Sequence, residues 1–371
     1  MSTTSPTSLS STFSVPSSYG KECRPLFFTD PDITNLNHGS FGAISQPIQH
    51  SCEALTREIE KNPDAFIRME LFDRQTAARR AVAGLIGAGN PDTCVFISNV
   101  STAMNTVLKS FKWSCEDYIV CTDAIFPSIL LAIENVNPAP KMSSFDVGGL
   151  TSHKVIVSSF LDHLRILKKK IHSQCGKTPE KTATGCPKVV VIMESITATP
   201  ALLLPWREMV NICRDEEVWS VVDAAHSLGQ ESGLNVEEAD PDFWMTDCAK
   251  WYYAMRGCAL LYVPVRNQEM ITPLVPGVRY PTRGPSPSKF VHSFFWNGMT
   301  DPVASLSIEF AITFRERLGG DRKLNAYCHD LVVDGGHLLA KILGTNLMDA
   351  SETAELTPSM VSFSMLNSLL D

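Results

Sequence analysis

A carboxylate, an imidazole and an amine in the middle of this chain are spaced so that they could work together: Asp223, His226 and Lys250. Asp223 and His226 stand in SVVDAAHSLGQ (220–230), directly after the apolar residues Trp219, Val221 and Val222. A run of that kind delivers its carboxylate at the end of a buried strand, where an ionised Asp without a partner costs several kcal/mol. A cation or a strong hydrogen-bond donor is therefore expected beside Asp223. Read alone, His226 is equally a satisfied strand-end histidine.

The partner lies downstream, in DFWMTDCAKWYYAMRGCALLYV (242–263), which sets Lys250 between two apolar strand-like runs and ahead of Arg256-Gly257. Such a lysine is either a surface residue with a buried stem or an amine committed to a covalent bond. Asp223 tips the balance to the second. Pyridoxal phosphate needs a lysine for its Schiff base and an acidic partner for its ring nitrogen. The protonated ring nitrogen is then the cation that Asp223 lacks, through a charge-assisted bond of about 1.5–3 kcal/mol.

These residues need a scaffold, and the alternation of apolar runs with helical patterns supplies one. CVFISN (94–99), DYIVCTDA, VVVIMES, WSVVDAA, DFWMTD and CALLYVP read as strands. Between them, STAMNTVLKSF reads as a helix opening on Ser101 and Thr102, and PWREMVNICRDEE as another. Residues 50–87 read as two helices joined across Asn62-Pro63, and 172–188 as a polar loop. This order predicts an α/β fold with a mostly parallel sheet covered by helices on both faces. Ligands in such sheets sit at the carboxyl ends of the strands. Asp223, His226 and the Asn99–Thr102 turn all fall there, and that turn is also a helix N-terminus suited to an anion. A plain N-cap is the bland alternative for Ser101 and Thr102.

Composition narrows the partners. With 371 residues, 44% hydrophobic and 19% charged, the chain can hold one large core and a smaller domain. A net charge of −8 argues against nucleic acid or an anionic membrane as main partner. The run Lys168-Lys169-Lys170 reads as a helix C-terminal cap. Eleven cysteines without a Cys-x-x-Cys pair, and histidines without a close-spaced pair, predict no metal site and reduced thiols in the cytoplasm. No apolar stretch is long enough to span a membrane. The Ser/Thr-rich first 20 residues read as a disordered tail, with a transit peptide as the lesser alternative.

Six segments together resemble a known family. LNHGSFG (36–42), NPDAFIRMEL (62–71), SNVSTAMNTVL (98–108), VVDAAHSLG (221–229), KWYYAMRGCALLYV (250–263) and FFWNGMTDP (294–302) are similar, in the same order, to the class V aminotransferases among the fold-type-I pyridoxal-phosphate enzymes. The branch it resembles includes the isopenicillin N epimerases and hercynylcysteine sulfoxide lyases. The resemblance covers roughly residues 30–310. It implies a seven-stranded-type sheet, a Schiff base on Lys250, and a ring nitrogen held by Asp223. It further implies a phenolic-oxygen contact from His226, a phosphate turn at Ser101 and Thr102, and a ring-stacking position at Phe126. Asn37, His38 and Gly39 fall in a substrate-side loop, and Arg68 and Arg256 are weaker candidates for anion contacts or ordinary ion pairs. Relatives are homodimers in which a Gly-Thr pair reaches the partner's phosphate. Here Gly298-Met299 aligns with that pair, and Thr300 follows.

Departures from the family are also visible. Ala249 stands where a phosphate-contacting His usually precedes the lysine, and Phe126 can stack but cannot hydrogen-bond. The chain stops at VSFSMLNSLLD, which begins what resembles a small-domain strand, whereas relatives continue and carry there the arginine for the substrate carboxylate. A truncated chain is therefore an expectation. The implied organisation is a tail (1–25), an N-terminal arm (26–75), a cofactor-binding large domain (76–300) and an incomplete C-terminal α+β domain (301–371). The implied function is pyridoxal-phosphate chemistry on an amino-acid substrate: C–S cleavage, epimerisation or transamination. A cofactor-binding or interaction protein with impaired catalysis is the alternative. A cysteine desulfurase is a weaker one, because Cys258 opens a strand and Cys328 sits in a helical pattern.

Overall fold

The computed structural model describes residues 13–175, 187–277, 288–349, 351 and 353–364. Seven strands form one sheet: β1 (Cys94–Ile97), β2 (Tyr118–Thr122), β3 (Lys141–Phe145), β4 (Val189–Glu194), β5 (Trp219–Asp223), β6 (Phe243–Asp247) and β7 (Ala259–Tyr262). Their order is β1-β7-β6-β5-β4-β2-β3. The five strands from β3 to β6 run parallel, and β7 is antiparallel to both β6 and β1. The expected α/β fold with a mostly parallel sheet is what the chain forms.

Helices cover both faces. Helices α1 (His38–Phe41), α2 (Gln46–Lys61), α3 (Pro63–Met69) and α4 (Leu71–Leu85) precede the sheet. Helices α5 (Val100–Ser110), α6 (Pro127–Glu134), α7 (His153–Cys175), α8 (Trp206–Asp215) and α9 (Val236–Ala239) lie between strands. Helices α10 (Lys289–Phe295), α11 (Val303–Arg317) and α12 (Asp321–Leu343) follow.

Alternation along the strands divides the core in two, because successive strand side chains point to opposite faces. Val222, Trp244 and Met193 pack with Phe160 of α7, Met209 of α8 and Phe314 of α11. Their neighbours Val221, Phe243 and Ile192 pack on the other face with Met104 of α5, Ile129 of α6 and Phe290 of α10. Burial on both faces is why β4 is a continuous apolar run down to Glu194. The edge strand β3 is only half covered, and its polar sequence KMSSF gave little strand signal.

Several local expectations change. Residues 46–85 form three helices, with a second break at Glu70. Helix α5 is capped by Asn99, whose Oδ1 accepts the Thr102 N–H at 2.7 Å, and it begins one residue before Ser101. Lys168 lies inside α7, which runs on to Cys175, and donates to Glu216 O (2.7 Å) at the end of α8. It caps a C-terminus, but that of the neighbouring helix. The polar loop at 172–188 falls largely outside the described residues, as do most of the N-terminal tail and the last residues of the expected C-terminal strand. Of that strand, an isolated antiparallel bridge between Leu347 and Phe363 is seen. Among the described residues no helix is long and apolar enough to cross a membrane, and no group of His, Cys, Asp and Glu could hold a metal ion.

One buried cation ties α11 to the loops after β5 and β6. Arg315, 2% exposed, donates to Asp321 Oδ1 (2.6 Å), Trp251 O (2.9 Å), Gly229 O (3.4 Å) and Asn325 Oδ1 (2.8 Å). Its guanidinium also lies 4.6 Å from the Tyr252 ring centroid. The two loops it reaches carry His226 and Lys250. Arg315→Met leaves Asp321 and two carbonyls without that donor, so the chain should lose about 3 kcal/mol of stability. Urea unfolding monitored by circular dichroism measures this, and an unchanged midpoint would refute it.

Candidate active site

Three adjacent strands end in carboxylates: Glu194 on β4, Asp223 on β5 and Asp247 on β6. Glu194 and Asp223 are register partners across the β4–β5 pair. All three line a cavity of about 190 Å³, together with Ser40, Asn99, Ser101, Phe126, His226 and Lys250. Parallel strands that end at one level bring side chains remote in sequence to the same mouth.

Lys250 is the cation among them. Its Nζ lies 3.3 Å from Asp247 Oδ2 and 3.3 Å from His226 Nε2. The Trp251 indole N–H donates to His226 Nδ1 at 3.1 Å, so the proton of the neutral imidazole belongs on Nε2, the nitrogen facing Lys250. Burial, and secondarily the charge of Lys250, push the His226 pKa down to about 3. His226 is therefore a neutral ring with a fixed tautomer.

Asp223 accepts the Ala225 N–H on Oδ1 at 3.0 Å. Burial raises its pKa to about 6, while the Ala225 N–H and Lys250 pull it down. Glu194 is pushed up to about 7, first by burial and then by the charge of Asp223. Its Oε2 accepts from the Thr122 hydroxyl (2.8 Å) and its Oε1 from the Phe126 N–H (3.1 Å). That second bond anchors the start of α6 and with it Phe126, which is 47% exposed and lines the cavity.

The loop LNHGSFG packs against the Lys250 turn. The His38 ring lies 5.3 Å from that of Trp251 and is bonded to the Lys250 backbone. Two glycines make the approach feasible. A Cβ on Gly42, which has φ +63°, would stand 2.0 Å from Ala249 O. A Cβ on Gly39 would stand 3.0 Å from Trp251 and 3.7 Å from His226 Cε1.

The structure thus brings Lys250, Asp223, His226, Ser101 and Phe126 together. Other candidates fall elsewhere. Thr102 and Thr300 line another cavity, of about 260 Å³. The Thr102 hydroxyl donates to Asn99 Oδ1 at 2.9 Å, which turns it toward the cap. Asn37 is exposed and accepts from the Ser40 hydroxyl. Arg68 pairs with Asp64 one helical turn away on an exposed face. Arg256 donates to the carbonyls of Phe41 (3.1 Å) and Gly42 (2.9 Å), so it braces the glycine loop where an anion contact had been considered. Glu194, Asp247 and Ser40 were not singled out from the sequence, and Asn99 entered only as the first residue of the helix-start turn. The first two carry the signal that exposed Asp223, an acid closing an apolar run.

No family model matches the chain. It is 27% identical over 339 residues to the hercynylcysteine sulfoxide lyase of Schizosaccharomyces pombe, covering 89% of this chain and 80% of that one. It is 28% identical to an L-cysteine desulfhydrase-like protein of Epichloe uncinata, covering 89% and 74%. It is 23% identical to the isopenicillin N epimerase of Streptomyces clavuligerus, covering 92% and 83%. Among solved structures, the cystine C–S lyase C-DES in complex with cysteine persulfide superimposes with a TM-score of 0.71 at 18% identity, over 89% of this chain and 83% of that one. The chain shares the fold of that C–S lyase. The relatives have the names that its six segments pointed to.

The raised Glu194 pKa makes stability depend on pH. Its folded value, about 7, lies above the ordinary 4.5, so the folded state holds this proton more tightly than the unfolded chain. Its stabilising contribution is present below pH 4.5 and is lost as pH rises through 7. Glu194→Gln keeps the shape and removes the buried charge. At pH 8 the ligand-free variant should exceed the parent by about 1–3 kcal/mol, with little gain at pH 4.5. Melting temperatures across that range test this, and a gain independent of pH would contradict it.

Proposed function

We propose that this chain is a pyridoxal-phosphate-dependent enzyme that cleaves a C–S bond in a sulfur-containing amino acid. The observation that carries the reading is the meeting of Lys250, Asp223 and His226 in one strand-end cavity. The names of the relatives, a sulfoxide lyase and L-cysteine desulfhydrases, support the substrate class.

The residues present fit the ring end of the cofactor. Asp223 is buried and its carboxylate is held at a raised pKa, the condition that a protonated ring nitrogen relieves. Lys250 would hold the cofactor covalently, and Phe126 offers an aromatic face. When bound, pyridoxal phosphate supplies an electron-withdrawing ring that acidifies the Cα–H of an attached amino acid.

The chain's own groups do the rest. Asp223 keeps the proton on the ring nitrogen. Lys250 Nζ, freed by the incoming amino group, takes the proton from Cα. His226 presents its Nε2–H toward the same space, oriented by Trp251. Ser101, at the start of α5, faces the cavity where an anion is favoured. The reading includes a homodimer, supported by the exposed apolar side chains Phe28, Ile33, Leu36, Phe41 and Met299, which a second copy would cover and which would bring Thr300 toward the other protomer. It also includes a reducing, cytoplasmic setting, since nine cysteines of the described residues are free.

Borohydride reduction of the cofactor-loaded protein, followed by peptide mapping, should tag Lys250. A tag on another lysine would end the assignment. With L-cysteine or an S-substituted cysteine, the loaded enzyme should release ammonia, a 2-oxo acid and the sulfur-bearing product. Asp223→Ala should retain the covalent link while slowing release by at least about a hundredfold. Release of the amino acid with only its configuration changed would refute C–S cleavage, and a lysine tag without any turnover would favour an impaired binding protein.

Light scattering tests the assembly. A mass of two chains is expected, and a stable monomer retaining the cofactor would refute the dimer.

A further inference from the structure

We propose that Asp247 sets the selectivity of this site between phosphorylated and unphosphorylated pyridoxal, because its carboxylate holds the helix-terminal position that the cofactor's phosphate would need. The inference rests on the reading of Lys250 as the cofactor's attachment point. The Asp247 carboxylate spans two partners: Oδ1 accepts the Val100 N–H, the first amide of α5, at 3.2 Å, and Oδ2 lies 3.3 Å from Lys250 Nζ. The third amide of that helix, Thr102 N–H, is taken by Asn99 Oδ1 at 2.7 Å. Two of the three leading amides at this end of the cavity are thus engaged within the chain.

Charge points the same way. Among the described residues the cavity is lined by three carboxylates, Glu194, Asp223 and Asp247, against one lysine and a neutral imidazole. Lys250 is the cation of that lining, and the proposed reading commits it to covalent attachment. Ala249, directly before it, offers no side-chain donor. A dianionic phosphate arriving at α5 therefore meets a like charge on Asp247 and must displace it from Val100. Unphosphorylated pyridoxal makes the same demands on Lys250, Asp223 and His226 without that repulsion. The α5 terminus attracts anions, and the chain has placed one of its own there.

The experiment is equilibrium dialysis of the purified full-length chain against pyridoxal 5′-phosphate and, separately, against pyridoxal, with the parent protein and Asp247→Asn. The Asn side chain keeps an acceptor for Val100 N–H and discards the charge. The variant should bind pyridoxal 5′-phosphate at least about tenfold more tightly, and pyridoxal within about threefold of the parent. Inorganic phosphate should compete with pyridoxal 5′-phosphate in the variant more strongly than in the parent. Asp247→Ser, whose hydroxyl can also meet Val100 N–H, gives the same comparison if the Asn variant does not fold. Equal changes for the two compounds, or none, would overturn the inference while leaving the cofactor reading in place. Failure of both compounds to bind either protein would remove the cofactor reading and this inference with it.

Discussion

Three carboxylates face one ammonium at the ends of β4, β5 and β6, and this imbalance governs the site. Parallel strands that finish side by side force their last residues together, so Glu194 and Asp223 meet by register. Each would lose several kcal/mol if it stayed ionised and unpaired in the interior. The structure answers in different ways. Asp247 is paired with Lys250, Glu194 is held near neutrality by burial and by Asp223, and Asp223 is left with its charge discouraged. Of the three, Asp223 gains most from a cation delivered from outside, because Glu194 already has two donors and Asp247 has both an amide and the ammonium.

Rigid support makes such an arrangement tolerable. Lys250 and His226 sit on turns, which are ordinarily the most mobile parts of a fold. Here Arg315 binds the carbonyls of Gly229 and Trp251 from below, and the glycine loop closes against Ala249 and Trp251. Arg256 in turn holds that loop by two of its carbonyls. The two arginines hold turns where they could have held substrate. Their charges meet backbone dipoles, from a buried guanidinium in Arg315 and an exposed one in Arg256, a use to which a fixed fork of donors is well suited.

Asp223 was legible because an acid at the end of an apolar run violates the pattern of a buried strand. Lys250 was legible because Asp223 demanded a cation. Glu194 ends VVVIME in the same manner, and Asp247 ends FWMTD, yet neither stood out. The sequence shows that each run ends in an acid; it does not show that the three strands are neighbours, which the order β6-β5-β4 decides. The bracing part of Arg256 was hidden for a related reason: the carbonyls of Phe41 and Gly42 that it meets are remote from it in sequence. The starts of α5 and α8 were legible to within a residue, whereas α2 begins earlier than the helical pattern read from residue 50, and the role of Asn99 as cap was hidden by the Ser101 and Thr102 that follow.

Lys250 Nζ stands between two unlike neighbours. Asp247 offers it a carboxylate at 3.3 Å. His226, its tautomer set by the Trp251 N–H, presents an N–H to Nζ and has no lone pair to offer there. Burial, and the charge of Lys250 beside it, hold the His226 pKa near 3, so the ring stays neutral. What the imidazole shows to the lysine therefore depends on Trp251: without its N–H the ring could move its proton to Nδ1 and turn an acceptor toward Nζ. An indole that touches no reacting atom thus decides which face of the histidine meets the lysine.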